Sequence, residues 1–239
     1  LRDLTTVDRT LIGTFDDQPS SYFPGYVVTW RTSGDFGYDL HDLVTGEVTP
    51  LYASSVMGDT IALYYEDGRL KVFSTATGDL ITDTAVEPVE GPQSAMMNNE
   101  GDGYVWLELR DNDRYETTAT RVYGPEGLVS DLTHLQSKYY FLNYLTTTPE
   151  GRPLYYGTAE APSRNGSLCD VLDETGNVAL GLGDLGGCYS YYSNSLNQLP
   201  DHVFVARRGF YYGWMDTDGK WLYCQSIFSS INADDEMGY

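Results

Sequence analysis

Two short stretches carry oxygen ligands at spacings that invite a calcium ion. Asp216-Thr217-Asp218-Gly219 offers carboxylates two residues apart before a glycine. A twelve-residue calcium loop needs ligands at positions 1, 3, 5 and 12 and glycine at 6. Counted from Asp216, the fifth residue is Lys220 and the twelfth Ile227, so the pattern fails. Asn98, Glu100, Asp102 and Gly103 come nearer, but position 12 is Leu109 and the residues after Gly103 alternate like a strand. Both stretches read as hairpin turns, and the expectation is no metal and no cofactor. His41, His134 and His202 stand apart, in no HxH or HExxH arrangement.

Acid chemistry is the next option. Glycoside hydrolysis uses two carboxylates across a cleft. Glu108 and Glu160 fall on or beside strand-like segments and Asp35 in a loop. With 35 acidic residues in the chain, none of the three is singled out as a catalytic acid. GxSxG, a Walker loop and GxGxxG after a strand are missing. The glycine-rich 181–187 precedes an aromatic strand rather than a phosphate-binding helix, and reads as a loop.

Aromatic doublets are the stronger signal. Tyr64-Tyr65, Tyr139-Tyr140-Phe141, Tyr155-Tyr156, Tyr189-x-Tyr191-Tyr192 and Tyr211-Tyr212-x-Trp214 crowd a chain with 21 tyrosines. Adjacent strand residues point to opposite faces. Each doublet is expected to send one ring into the core and one outward. An outward ring is a stiff amphipathic contact of the kind found at interfaces. Tyr156, Tyr212 and Trp214 are the expected binding residues; packing alone is the competing explanation.

Hairpins must position these rings. Five segments read as strand, polar turn with glycine, strand, with turns at Thr45-Gly46, Thr77-Gly78, Glu126-Gly127, Thr175-Gly176 and Asp218-Gly219. The Asp or Ser that opens most of them is able to bond its own backbone. The glycines are 32, 49, 49 and 43 residues apart. Four-stranded propeller blades repeat at roughly 40 to 50 residues, and only the first interval is too short. Residues 25–30, 60–70, 103–109, 152–160 and 202–213 supply further alternating strands. The segment 130–145 fits a short helix or an aromatic strand. The expected fold is all-β, with repeated antiparallel hairpins in a five-bladed propeller-like arrangement, as a single domain over residues 1–239.

The segment from Tyr211 to Ile231 resembles one copy of the bacterial WG repeat, with Gly213, Met215, Asp216, Gly219, Lys220, Trp221, Ile227, Phe228 and Ile231 at the matching places. The other four hairpins share only the turn. The resemblance implies an all-β repeat protein of the secreted or envelope-attached bacterial kind, lipoproteins included, with no catalytic motif to transfer.

Charge bounds the partners. A net charge of −21 repels phosphate backbones and anionic lipid, which excludes nucleic acid. No apolar run approaches the roughly 18 residues of a membrane span, so no membrane insertion by this segment is expected. The start at Leu1 reads as a processed or trimmed piece. Cys169 and Cys188 flank a hairpin and are able to pair, though nothing in their spacing requires it. The sequence points to a non-catalytic, extracytoplasmic binding or scaffold module for a protein or glycan. A propeller-type glycoside hydrolase with a carboxylate pair is the alternative.

Overall fold

The computed structural model describes residues 2–5, 11–32, 37–89, 93–100, 103–111, 116–160, 167–184, 187–189 and 202–227. Within them the chain is all-β, with every strand pair antiparallel and sheet neighbours that follow chain order. It divides into two compact units, Leu1–Asp131 and Leu132–Tyr239.

The first unit opens with a hairpin of β1 (Arg2–Thr5) and β2 (Leu11–Phe15). A seven-stranded sheet follows: β3 (Gln18–Phe23), β4 (Tyr26–Trp30), β5 (Tyr38–Asp42), β6 (Val48–Met57), β7 (Thr60–Tyr65), β8 (Arg69–Ser74) and β9 (Leu80–Ala85). Four strands complete the unit: β10 (Gln93–Asn99), β11 (Val105–Asp111), β12 (Glu116–Gly124) and β13 (Gly127–Asp131). The second unit holds two four-stranded sheets. One is β14 (Phe141–Thr147), β15 (Pro153–Glu160), β16 (Ser167–Leu172) and β17 (Val178–Asp184). The other is β18 (Gly187–Tyr189), β19 (Val203–Arg208), β20 (Tyr211–Asp216) and β21 (Trp221–Ser226).

The seven-stranded sheet is two four-stranded meanders that share β6. Val48–Leu51 pairs with β5, whereas Leu51–Met57 pairs with β7, and the register shifts between Leu51 and Ala53. One continuous strand thus closes the first meander and opens the second. No linker lies between them, which accounts for the short interval of 32 residues between Gly46 and Gly78. Counted this way, the described strands contain five meanders, and the glycine hairpins foreseen in the sequence are the last hairpin of each. The architecture is propeller-like, since the four-stranded antiparallel meander is the repeating module of a propeller blade.

The turns form for the expected reason. Asp42 Oδ1 accepts from the amides of Val44 and Thr45, and Ser74 Oγ from those of Ala76 and Thr77. Asp173 Oδ1 accepts from the amides of Thr175 and Asn177, and Asp216 Oδ1 from those of Asp218 and Lys220. The Thr45 and Val44 amides hold the Asp42 carboxyl below the usual carboxylate range. The first unit spaces its contacts at two and three residues, the second at two and four. The Asp216 turn therefore has a counterpart in the Asp173 turn.

Three cores fill the meanders. Phe23, Val28, Leu40, Leu51, Ile61, Leu63, Tyr65 and Phe73 form one. Ala62, Tyr64, Leu70, Val72, Val105, Leu107, Leu109 and Tyr123 belong to a second. Strand β7 feeds both: Ile61, Leu63 and Tyr65 enter the first, Ala62 and Tyr64 the second. It is buried on both faces because β10 stacks along β6 and β7 within this unit. The third core lies in the second unit and joins its two sheets through Leu145, Leu154, Tyr156, Cys169, Val171, Phe204, Ala206 and Met215.

One open alternative is resolved here and one expectation is corrected. Residues 130–145 form no α-helix. Only a 3₁₀ turn occurs, at Thr133–Leu135, and β14 begins at Phe141. Leu132, Leu135 and Tyr139 are buried, so their spacing reflects core contacts of a turn rather than a helical face. Nor do the tyrosine doublets divide evenly between core and solvent. Tyr64 and Tyr65 are 2% and 7% exposed, and Tyr155 and Tyr156 are 0% and 8% exposed. Cys169 lies in the third core, and the side chain of Cys188 is outside the described residues.

Candidate functional site

One face of the last sheet contributes to the third core. Along β19 and β20, Phe204, Ala206 and Met215 point into the third core, and Gly213 is buried on the same side. The residues between them point away and are only partly covered. Pairing across β19, β20 and β21 sorts these into two neighbouring rungs. Val205, Trp214 and Tyr223 form an apolar rung; Arg207, Tyr212 and Gln225 form a polar one.

Trp214 is 47% exposed and Tyr223 53%, with ring centroids 6.0 Å apart and planes tilted by 57°. In the polar rung, the Gln225 amide Nε2 donates to the Tyr212 hydroxyl, and the Tyr223 hydroxyl donates to Gln225 Oε1 at 3.1 Å. Arg207 Nε donates to the Gly209 carbonyl at 3.2 Å, which turns the guanidinium toward the β19–β20 turn. The Tyr223 ring is thereby tied through Gln225 to Tyr212, while Trp214 and Tyr223 both stay open.

Gly213 makes the pairing of these rings possible. A Cβ added there would fall 2.0 Å from the Tyr223 carbonyl oxygen and 2.8 Å from Cys224 Cα. Only glycine lets β21 approach β20 this closely. The register also shifts between Trp214 and Met215, so Met215 pairs with Trp221 while Trp214 pairs with Tyr223. Gly219, at φ +80°, closes the turn between the two strands.

The sequence-predicted binding residues separate. Trp214 lies open on the outer face, and Tyr212 is half-buried beside it, in the polar rung. Tyr156 does not join them: it is a core residue, with its ring 5.6 Å from that of Phe141. Aromatic density at a strand–turn cluster points to Tyr156, but the packing of β15 inside the second unit buries its ring. Sequence reasoning missed Tyr223, Gln225 and Arg207. Their alternation on β19 and β21 is legible, but the bulge that aligns Tyr223 with Trp214 is not.

Glu108 accepts from the Trp106 indole at 3.2 Å and from Arg110 at 2.8 Å, so its charge is already matched. Glu160 ends β15, in the other unit, and Asp35 lies outside the described residues. Of the second calcium stretch, Asn98 and Asn99 are the end of β10; the Asn99 amide donates to the Thr60 carbonyl and hydroxyl. Asp102 lies outside the described residues. Among the described residues, no three His, Cys, Asp or Glu side chains converge as a metal site would require. The His41 Nε2 is 2.9 Å from Thr29 Oγ1 and its ring meets Phe15 edge-on; burial pushes its pKa down. His202 holds the Thr147 carbonyl through Nδ1 at 2.8 Å.

Residues 1–235 match the family described as Domain of unknown function (DUF5046). The chain belongs to this family. No curated protein sequence matches it. Among solved structures, it is similar to the WD40 β-propeller domain of Doa1, at 13% identity, a TM-score of 0.38, and coverage of 89% of this chain and 70% of that one. BamB from Moraxella catarrhalis is similar at 9% identity and a TM-score of 0.29, with 85% and 73% covered. HIRA(644-1017) gives 14% identity, a TM-score of 0.36 and 66% coverage of this chain, which spans 51% of its length. The propeller-like character of this DUF5046 chain rests on its own meanders.

Proposed function

We propose that this DUF5046 domain is a non-catalytic binding or scaffold module that recognises a protein or glycan outside the cytoplasm. The five meanders act as propeller-type blades, and the outer face of the last one is the contact surface. The observation that carries this reading is the open, cross-strand paired Trp214 and Tyr223 on a sheet whose opposite face contributes Phe204, Ala206 and Met215 to the third core. Rings braced by a hydrogen-bonded frame give large contact area at low entropic cost. The WG-type pattern from Gly213 to Ile231 supports placement in a secreted or envelope-attached bacterial protein.

Glycan and peptide arrays probed with the purified chain, in calcium and in chelator, test the proposal. Binding that disappears in the Trp214→Ala/Tyr223→Ala double variant, without release of product, is the expected result. Release of product from a bound sugar would replace the module with a glycoside hydrolase. Retention of binding in a folded double variant would place the contact elsewhere.

A further inference from the structure

From the same face, and resting on the binding-module reading, we infer that the ligand is an uncharged glycan, with a pyranose ring seated on Trp214. Three features of the last sheet specify that chemistry.

The first is the pairing of unlike rungs. A pyranose has one face of C–H groups and a rim of hydroxyls. The C–H face carries slight positive charge and suits the negative face of an indole. Trp214 presents such a face, flanked by Val205 on one strand and Tyr223 on the other. The hydroxyl rim needs groups that both donate and accept. The next rung supplies them within one strand spacing: the Tyr212 hydroxyl, the Gln225 amide and the Arg207 guanidinium. An aliphatic peptide side chain would use the first rung and leave the second unmatched.

The second feature is the state of the polar groups. Gln225 spends one donor on Tyr212 and accepts from Tyr223, and Arg207 spends only Nε on Gly209. No described carboxylate forms an ion pair with Arg207, so its terminal N–H groups remain available to hydroxyl oxygens.

The third feature is charge. Residues 1–131 carry eight Lys and Arg against 23 Asp and Glu. The segment 201–226, which contains the face, is balanced: Arg207, Arg208 and Lys220 offset Asp201, Asp216 and Asp218. Asp216 Oδ1 is committed to the amides of Asp218 and Lys220. The net charge of −21 repels a polyanion, and among the described residues of this face no open carboxylate row offers itself to a polycation. An uncharged ligand meets neither obstacle.

Calorimetric titration of the whole chain tests the inference. The uncharged probes are cellohexaose, mannohexaose and xylohexaose; the charged ones are oligogalacturonate and chitosan oligomers. Binding of one uncharged probe is expected, with affinity unchanged by added salt and at least about tenfold weaker in Trp214→Ala, a loss of about 1.4 kcal/mol. Trp214→Phe keeps an aromatic face and should retain part of the affinity. Tyr211→Ala is the control: Tyr211 is 55% exposed but sits on the opposite face of β20, so binding should be unaffected. Preference for a charged probe, weakened by salt, would overturn the uncharged class. No binding in the titration together with Trp214-dependent binding on the peptide array would overturn the glycan and leave the module standing. Absence of both would remove the two readings together.

Discussion

Tyr64-Tyr65 on β7 and Tyr211-Tyr212 on β20 are the same doublet with different fates. Both strands alternate, and both lie in the interior of an antiparallel sheet. Yet the first pair is buried on both sides, while Tyr211 is 55% exposed and Tyr212 half-buried. The difference lies in what is stacked on each sheet. Strand β7 sits between two cores of its own unit, so alternation distributes its residues between two apolar faces. On β20 only Met215 joins a core; Tyr211 shares its face but lies at the start of the strand, outside that core, and Tyr212 faces the other way. Alternation reports that a strand has two faces; whether the second is wet depends on a neighbouring sheet.

The sharpest test of that contrast is stability. Leu63→Ala on β7 should cost about 2–5 kcal/mol, the usual range for a buried leucine, read as a lower denaturation midpoint at unchanged slope. A loss as small as that of an exposed residue would break the picture of β7 as doubly covered.

Gly213→Ala comes next, at about 1–3 kcal/mol, because the new methyl meets backbone that has no rotamer to change. The decisive readout is local: faster amide exchange in β21 than in β15. Uniform destabilisation with β21 still protected would count against the close approach as the feature that pairs Trp214 with Tyr223.

The buried ring of Tyr64 gives the contrast a pH signature. Burial, reinforced by the neighbouring Tyr52 and Tyr123, pushes its pKa up to about 12 from 10.0. A raised folded-state pKa means that the unfolded chain ionises first. The stabilising contribution is complete below pH 10 and is lost as pH rises through about 12. Tyrosinate absorbance in Tyr64→Phe should lose a component that titrates late and together with unfolding.

Smallest of all is the stability effect at the open face. Trp214→Ala and Tyr223→Ala should each stay within about 0.5–1 kcal/mol of the parent, since surface changes away from special features cost little. Melting curves check this. A larger loss would mean that the rings brace the sheet and that the face is structural.

How much of this was legible in advance varies with range. Residues 60–70 and 202–213 became β7–β8 and β19–β20 because their alternation and their turn residues agree locally. The turn carboxylates Asp42, Asp173 and Asp216 behave as read, since an Asx turn spans only a few residues. The site was legible in part. Aromatic density points to Trp214 and Tyr212, which share one face of the last sheet, but it points equally to Tyr156, which is buried. Tyr223 was passed over because a one-residue bulge, invisible in composition, decides its partner.

The sequence by itself determined the all-β class, the five glycine hairpins and the constraint that a net charge of −21 places on partners. These depend on backbone preference, short-range hydrogen bonds and summed charge, all of which act without knowledge of distant contacts. Tertiary structure alone decided that β6 serves two meanders, that Tyr64, Tyr65 and Tyr156 are core, and that Trp214 faces Tyr223 in the open. Each of those outcomes is set by which sheet packs on which and at what register, and burial is a property of neighbours far along the chain.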